Sequence, residues 1–367
     1  MSKPRVLVAG LGDTGLLTAI HLSTYVDVVG VSAKPGLVSG QELGMRLTRP
    51  AEWVRDYWIS FDRYRKLDRV RILHGTLVGL DLNARRVTVR HPDGGETKEP
   101  YDALVISTGV SNGFWRRPHL ETNAEIDAGI EDAHGQIAAA GSVMVIGGGA
   151  AAVSAALNVA SQWSDKKVDL YFPGERALPQ HHRKVWQVLE GRLRELGVGL
   201  HPGHRAEVHE GFAGEEITCD PVNWSTGQEA AKADAVLWTI GKVRPNTAWL
   251  PGALLDEDGF VAVDEHLQVP GHPEIFAIGD VAASDPLRNS ARSRADHLLA
   301  HNVRAALSGG SLKTFKPARR RWGSVVGTQE NALEVFAPNG SSFKLRPWSR
   351  WQPVVVRMAI YKGIRRS

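Results

Sequence analysis

Val8-Ala9-Gly10-Leu11-Gly12-Asp13-Thr14-Gly15 is the stretch that decides how this 367-residue chain folds. It follows a short apolar run, Arg5-Val6-Leu7-Val8-Ala9, and leads into Leu16, Ala19 and Ile20 at helical spacing, so it lies between a buried strand and a helix. In that setting Gly10 permits a tight turn, Gly12 lets backbone approach a pyrophosphate, and Gly15 lets the helix pack on the strand. The helix N-terminus adds unpaired amides and partial positive charge. A second strand at 26–31 follows at the spacing of a βαβ nucleotide-binding unit.

The same grammar recurs further along. Ser142-Val143-Met144-Val145-Ile146 precedes Gly147-Gly148-Gly149-Ala150-Ala151-Ala152, a helix to about residue 162 and a strand at 167–172. Ala152, in the third position, still permits close packing. The acid expected at the end of each second strand to bind a ribose hydroxyl is missing: Ser32 and Phe172 stand there. Serine can still hydrogen-bond ribose; Phe172 cannot. Arg176, Arg183 and Lys184 are either partners for a 2′-phosphate or solvated surface charges. Between and after the two units come β-rich stretches: 69–90 around a turn at Asn83-Ala84, then 103–107 and 235–240. The run Glu274 to Asp280 follows, then a helix from about 290 to 306 and a break at Ser308-Gly309-Gly310-Ser311.

Composition narrows the classes. A hydrophobic fraction of 43% and a charged fraction of 23% are globular values, and no window reaches the roughly 18 apolar residues of a membrane span. Met1-Ser2-Lys3-Pro4-Arg5 runs straight into the first strand without a secretory h-region, so cytoplasmic residence is expected, and Ser2 excludes N-myristoylation. The single cysteine, Cys219, rules out an intrachain disulfide, a thiolate metal cluster and a redox dithiol; it reads as a small residue in a strand. The net charge of +4 hides an asymmetry, because residues 313–367 hold twelve Lys/Arg against two Asp/Glu.

Taken in order, the first glycine turn, Ser107-Thr108-Gly109, the second glycine turn, Thr239-Ile240-Gly241 with Arg244-Pro245-Asn246, and Ile278-Gly279-Asp280 resemble the flavoprotein oxidoreductases with two dinucleotide-binding domains. The stretch Val263 to His272 running into Asp280, with Gly75-Thr76-Leu77-Val78-Gly79, resembles the apoptosis-inducing-factor branch, closest to ferroptosis-suppressor-type NAD(P)H:quinone reductases. The resemblance implies an α/β fold of two Rossmann-like domains, glutathione-reductase-like, plus a small C-terminal domain. FAD would sit on 1–112 and 250–310, NAD(P)H on 113–249, and 311–367 would form a basic C-terminal region. It further implies that Gly10, Gly12, Asp13, Thr14 and Gly15 cradle the FAD pyrophosphate, and that Ser32, Lys34 and Arg46 lie by its adenosine side. Val78 backbone would meet adenine, Thr108 and Gly109 would cross the cofactor, and Gly279 and Asp280 would hold the ribityl chain. Gly147, Gly149, Ala150, Ala152 and Gly241 would hold NAD(P)H. The flavin carries the chemistry, so no nucleophile or general base is required.

Two departures bear on the acceptor. Ser154 replaces the family's glutamate after the second turn, and Arg292-Ser293-Arg294-Ala295-Asp296-His297 does not match the glutamine-rich quinone-contact motif of type II NADH dehydrogenases. The expected activity is transfer from NAD(P)H to a quinone or similar small acceptor. The alternatives are oxidation or reduction of a biosynthetic intermediate, and a flavin-binding interaction or nucleic-acid-binding protein with weak turnover. Disulfide and sulfide:quinone reductases are set aside for want of paired cysteines. The tail, with Arg319-Arg320-Arg321, Trp322, Trp348 and Trp351, has three readings: packing on the flavin domain, peripheral contact with an anionic membrane, or nucleic-acid binding. The chain is read as a monomer or homodimer.

Overall fold

Val-, Leu- and Ile-rich runs with no alternation of polarity become strands buried on both faces, as parallel sheets require. A computed structural model describes residues 3–39, 42–111, 117–212, 214–240, 243–286, 295–317, 322–329, 332–346, 360–361 and 363–365. The first unit opens with β1 (Arg5–Ala9), α1 (Asp13–Leu22) and β2 (Asp27–Ser32). β3 (Gly36–Val38), α2 (Leu43–Thr48), α3 (Pro50–Tyr57), β4 (Trp58–Ser60) and β5 (Val70–His74) follow. An antiparallel appendage of β6 (Thr76–Asp81), β7 (Arg86–Arg90) and β8 (Glu96–Pro100) leads to β9 (Ala103–Ile106) and β10 (Val110–Ser111).

The second unit comprises α4 (Asn123–Ala139), β11 (Ser142–Ile146), α5 (Ala150–Gln162), β12 (Lys167–Tyr171), α6 (Arg183–Glu195), β13 (Gly199–His201) and β14 (Ala235–Trp238). The chain returns through β15 (Arg244–Pro245), β16 (Gln268–Val269), β17 (His272–Ala277) and α7 (Ala295–Ser308), and ends with the hairpin β18 (Leu333–Phe336) and β19 (Ser342–Leu345).

Two sheets carry the architecture. One runs β16-β17-β9-β1-β2-β5 and is parallel except at the β16 edge; the other runs β13-β12-β11-β14 and is parallel throughout. In each, the first strand of a βαβ unit sits centrally, which puts its glycine turn at the carboxyl end of the sheet beside a crevice. Thus β17, far along the chain, completes the sheet that β1 began. Of the regular elements, β8 has no apolar signature in the sequence: Glu96-Thr97-Lys98-Glu99-Pro100 is a charged edge strand, of the kind that discourages edge-to-edge pairing. The turn at Asn83-Ala84 forms as its sequence implies, with the Ala84 amide donating to the Asp81 carboxylate at 2.9 Å.

Residues after the last helix divide between the two units. Val325 and Phe336 are buried in the core of the second unit, whereas Phe315, Tyr361 and Ile364 are buried in that of the first. Among the described residues, no helix is long and apolar enough to cross a membrane.

Candidate functional site

At the first turn Gly10 has φ +101°, and a Cβ there would lie 2.5 Å from the Ser107 carbonyl oxygen. The Ser107 hydroxyl donates to the Gly10 carbonyl at 2.7 Å, fastening β9 to the turn. Gly15 is equally constrained: its Cβ would fall 2.0 Å from the Gly10 carbonyl, so no side chain fits between α1 and the turn. Gly12 is different. It caps α1 with extended backbone, and nothing lies within 4 Å of where its Cβ would be. The turn is thus tight where the fold needs it and open where a ligand backbone would approach.

That opening faces a cavity of about 1420 Å³, lined by Gly10, Gly12, Asp13, Thr14, Ser32, Lys34, Arg46, Thr108, Gly109, Gly279 and Asp280 among others. Gly279, at φ +83°, brings its turn so close to α1 that a Cβ would meet the Thr14 hydroxyl at 2.6 Å. Thr14 and Asp280 therefore share one wall. Gly15 lies behind it as a packing residue. Gly75, Thr76 and Leu77 line the cavity, and Val78 is the next residue outward, at a β-bulge between Leu77 and Gly79.

Three cations converge on this end. Burial, then Arg117 and Arg46, push the Lys34 ammonium down to about 8, and burial, then Arg117, push Arg46 down to about 10. Lys34 pairs with Glu121 and donates to the His119 carbonyl at 2.8 Å; the Arg46 guanidinium lies 5.0 Å from the Trp53 ring centroid. Clustered, desolvated cations are costly alone and are relieved by an anion. With the open Gly12 and the Thr14–Asp280 wall, this donor set fits the pyrophosphate and hydroxylated chain of FAD. Ser32 is buried, its hydroxyl accepting from the Lys34 amide at 3.1 Å.

Two chain crossings between the units are clasped together behind Gly109. The Thr108 hydroxyl donates to the Asn246 carbonyl at 2.8 Å, the Asn246 side chain returns a bond to the Thr108 carbonyl at 2.9 Å, and Ser111 donates to the same side chain at 2.7 Å. The spacing of Arg244-Pro245-Asn246 after the second unit is explained by this clasp.

The second turn repeats the steric logic. Gly147 has φ +140° and would clash with Thr239, whose hydroxyl donates to the Ile146 carbonyl at 2.7 Å. Gly149 caps α5, with nothing within 4 Å of its Cβ position, and Ala152 is fully buried. Ala150, Ala151 and Ser154 line the same cavity as the first turn; Gly147, Gly149 and Ala152 do not. Gly241 and residues 292–294 lie outside the described residues. Phe172 packs in the core, its ring 5.5 Å edge-on from Trp186, and Arg176 donates to the carbonyls of Leu178, Pro179 and His181 in its own loop.

The sequence reading missed the cover over this second half. Trp322, Val325, Leu333, Val335 and Phe336 line the cavity, and the hairpin is tied down by Arg192–Glu334. Ser154 and Asn158 both donate to the Val326 carbonyl, at 3.3 and 3.1 Å, so the residue in the glutamate's place anchors the tail. Asn339-Gly340 between two short β-patterned runs is the hairpin signal in the sequence. Glu42 was also missed; it lines the cavity and accepts from the Thr328 amide at 2.8 Å. Cys219 is exposed.

Comparison with known proteins agrees with this geometry. The chain is 26% identical to ferroptosis suppressor protein 1 of Xenopus tropicalis, covering 85% of this chain and 83% of that protein. It is 23% identical to apoptosis-inducing factor homolog A of Dictyostelium discoideum, covering 85% and 79%. Its fold matches reduced CoADR-RHD of Bacillus anthracis with a TM-score of 0.69 at 17% identity, over 89% of this chain and 60% of that longer one. The profile of the pyridine nucleotide-disulphide oxidoreductases matches residues 4–306, and the chain belongs to that family, as an NAD(P)H-dependent oxidoreductase that uses FAD.

Proposed function

We propose that this enzyme oxidises NAD(P)H and passes the electrons to a quinone or a comparable small acceptor. The observation that carries the proposal is the continuity of the cavity: one space of about 1420 Å³ is lined both by the first turn and by Ala150, Ala151 and Ser154 of the second. Bound there, FAD supplies two-electron acceptance from a nicotinamide and onward delivery to an acceptor. The chain supplies the rest. Gly12 and the α1 amides, with Lys34 and Arg46, bind phosphate; Thr14 and Asp280 orient the hydroxylated chain. Small side chains at 150 and 154 leave room for a nicotinamide, while Val325, Val335 and Phe336 exclude water. In this reading 1–112 with 250–310 holds FAD and 113–249 holds NAD(P)H.

The absence of a cysteine pair favours a diffusible acceptor over a disulfide, and the resemblance to ferroptosis-suppressor-type reductases favours a quinone. The described part of the tail packs on both units, which supports packing over membrane or nucleic-acid contact as its first role. Protein reduced anaerobically with NADPH or NADH and then mixed with a short-chain ubiquinone analogue should return to the oxidised spectrum. Failure to reoxidise refutes the quinone acceptor; failure of both nucleotides to reduce the protein refutes the hydride donor.

A further inference from the structure

On the face of the first unit away from the cavity, His21 in the last turn of α1 meets Asp296 and His297 in the first turn of α7. His21 Nε2 lies 2.9 Å from an Asp296 carboxylate oxygen, and both side chains are nearly buried, at 10% and 6% exposure. The His297 ring lies 3.8 Å from that of His21, centroid to centroid and tilted by 32°. One potential ligand atom from each residue falls within 4.8 Å of the other two. Beside them is a hollow of about 300 Å³ whose lining includes His301, one helical turn beyond His297.

A His–Asp pair alone is an ordinary structural contact between two helices. That pair places one imidazole beside one carboxylate; the same spot also holds a second imidazole, tilted against the first, and a third lies one helical turn on, its Nε2 3.3 Å from the Ser311 carbonyl oxygen. Two histidines four apart on one helix present their rings to the same spot, and imidazoles with one carboxylate are a donor set suited to zinc-class ions.

We propose that His21, Asp296 and His297 bind a divalent transition-metal ion of the zinc class, with His301 or water in the fourth position. Ligand–metal distances of about 2.0–2.2 Å require the three groups to close around the ion by side-chain rotation. Lys66 and Arg304 also line the hollow, and their charges oppose a bound cation; Arg304 is held over the Tyr25 ring, 3.5 Å from its centroid. The ion would not take part in electron transfer. Eight residue steps of α1, about 12 Å of helix, separate His21 from Asp13 at the cofactor end. Its effect would be to clamp α1, whose N-terminus faces the cavity, to α7, which follows the Gly279-Asp280 turn.

The full-length flavoprotein, stripped with a chelator and titrated with Zn²⁺ against a fluorescent zinc indicator, tests this. One equivalent should bind and raise the Tm by several degrees. His297→Gln, at an exposed position, and His21→Asn, which retains a hydrogen-bonding side chain, should each weaken binding at least about tenfold and remove the Tm rise, with FAD content and NAD(P)H reduction unchanged. If His21→Asn fails to retain FAD, His297→Gln alone decides. Absence of saturable Zn²⁺ binding overturns the proposal, as does binding that survives His297→Gln undiminished.

Discussion

The two glycine turns are built alike and surrounded differently. At each, a glycine with positive φ is pressed against the next strand of its sheet, by Ser107 at the first and Thr239 at the second, and a later glycine caps the helix in open space. The surroundings diverge from there. Lys34, Arg46 and Arg117 bring charge to the first turn, whereas the second strand of the second unit ends in a buried Phe172 and its helix is tied to the tail through Ser154 and Asn158. A repeated motif therefore sets where a dinucleotide can lie, and the residues around it set how tightly it is held.

The comparison can be broken first at the tight glycines. Gly10→Ala puts a Cβ 2.5 Å from backbone at φ +101° and should cost about 3 kcal/mol, with loss of bound flavin measurable as the FAD-to-protein ratio. Gly147→Ala meets Thr239 at 2.4 Å and is strained to a similar degree, yet it should leave flavin in place and impair only reduction by NAD(P)H. If both variants lose flavin equally, the two turns are not separate sites.

The cations sharpen it next. Arg46→Met should weaken FAD retention by about 1.5–3 kcal/mol, the range for hydrogen bonds to charged groups, while leaving the Tm of the apoprotein unchanged or raised, because a desolvated charge has been removed. Equal destabilisation of apo and holo forms would make Arg46 a packing residue only. Reduction of the bound flavin by NAD(P)H should be unaffected.

The smallest effect concerns the tail. Burial opposes ionisation of Glu334, but hydrogen bonds from Arg192 and Ser342 outweigh it and hold the carboxyl below the usual carboxylate range. A depressed folded value contributes stability above the unfolded value that is lost as pH falls through the folded one. Acidification should therefore loosen the hairpin over the second half of the cavity, by about 1 kcal/mol at most. Weaker protection of the β18 and β19 amides from hydrogen exchange at acid pH, relative to their intrinsic rates and absent as a pH dependence in Glu334→Gln, would show it.

What the sequence made legible follows from the range of the forces involved. Glycine turns between apolar strands and helices are local patterns, so both βαβ units could be read directly, whereas Lys34, Arg46, Gly109 and Asp280, which line the first half of the cavity, were carried over from the family resemblance. Val78, carried over from the resemblance, lies next to the lining residue Leu77 at a bulge between Leu77 and Gly79, a local irregularity that no alternation pattern reveals. Arg117 and Glu42 join the site through tertiary folding, with no motif around them. The histidine cluster was equally hidden, since His21 and Asp296 are 275 residues apart in the chain. Packing of the tail on the first unit was among the readings of the sequence; its cover over the second unit was not, because charge is plain in composition while what the tail covers depends on Asn158, Glu334 and the short hairpin.

The most direct test of the division of labour between the turns is the anaerobic reduction of Gly149→Val by NADPH and NADH, followed in the visible flavin band beside the unaltered protein. Nothing lies within 4 Å of a Cβ at Gly149, so the variant should fold and keep its FAD, while its side chain occupies the space where a second nucleotide would approach. The account predicts rapid bleaching of the unaltered protein by at least one nucleotide and little or none of Gly149→Val at equal FAD content. Equal bleaching of the two proteins would contradict it.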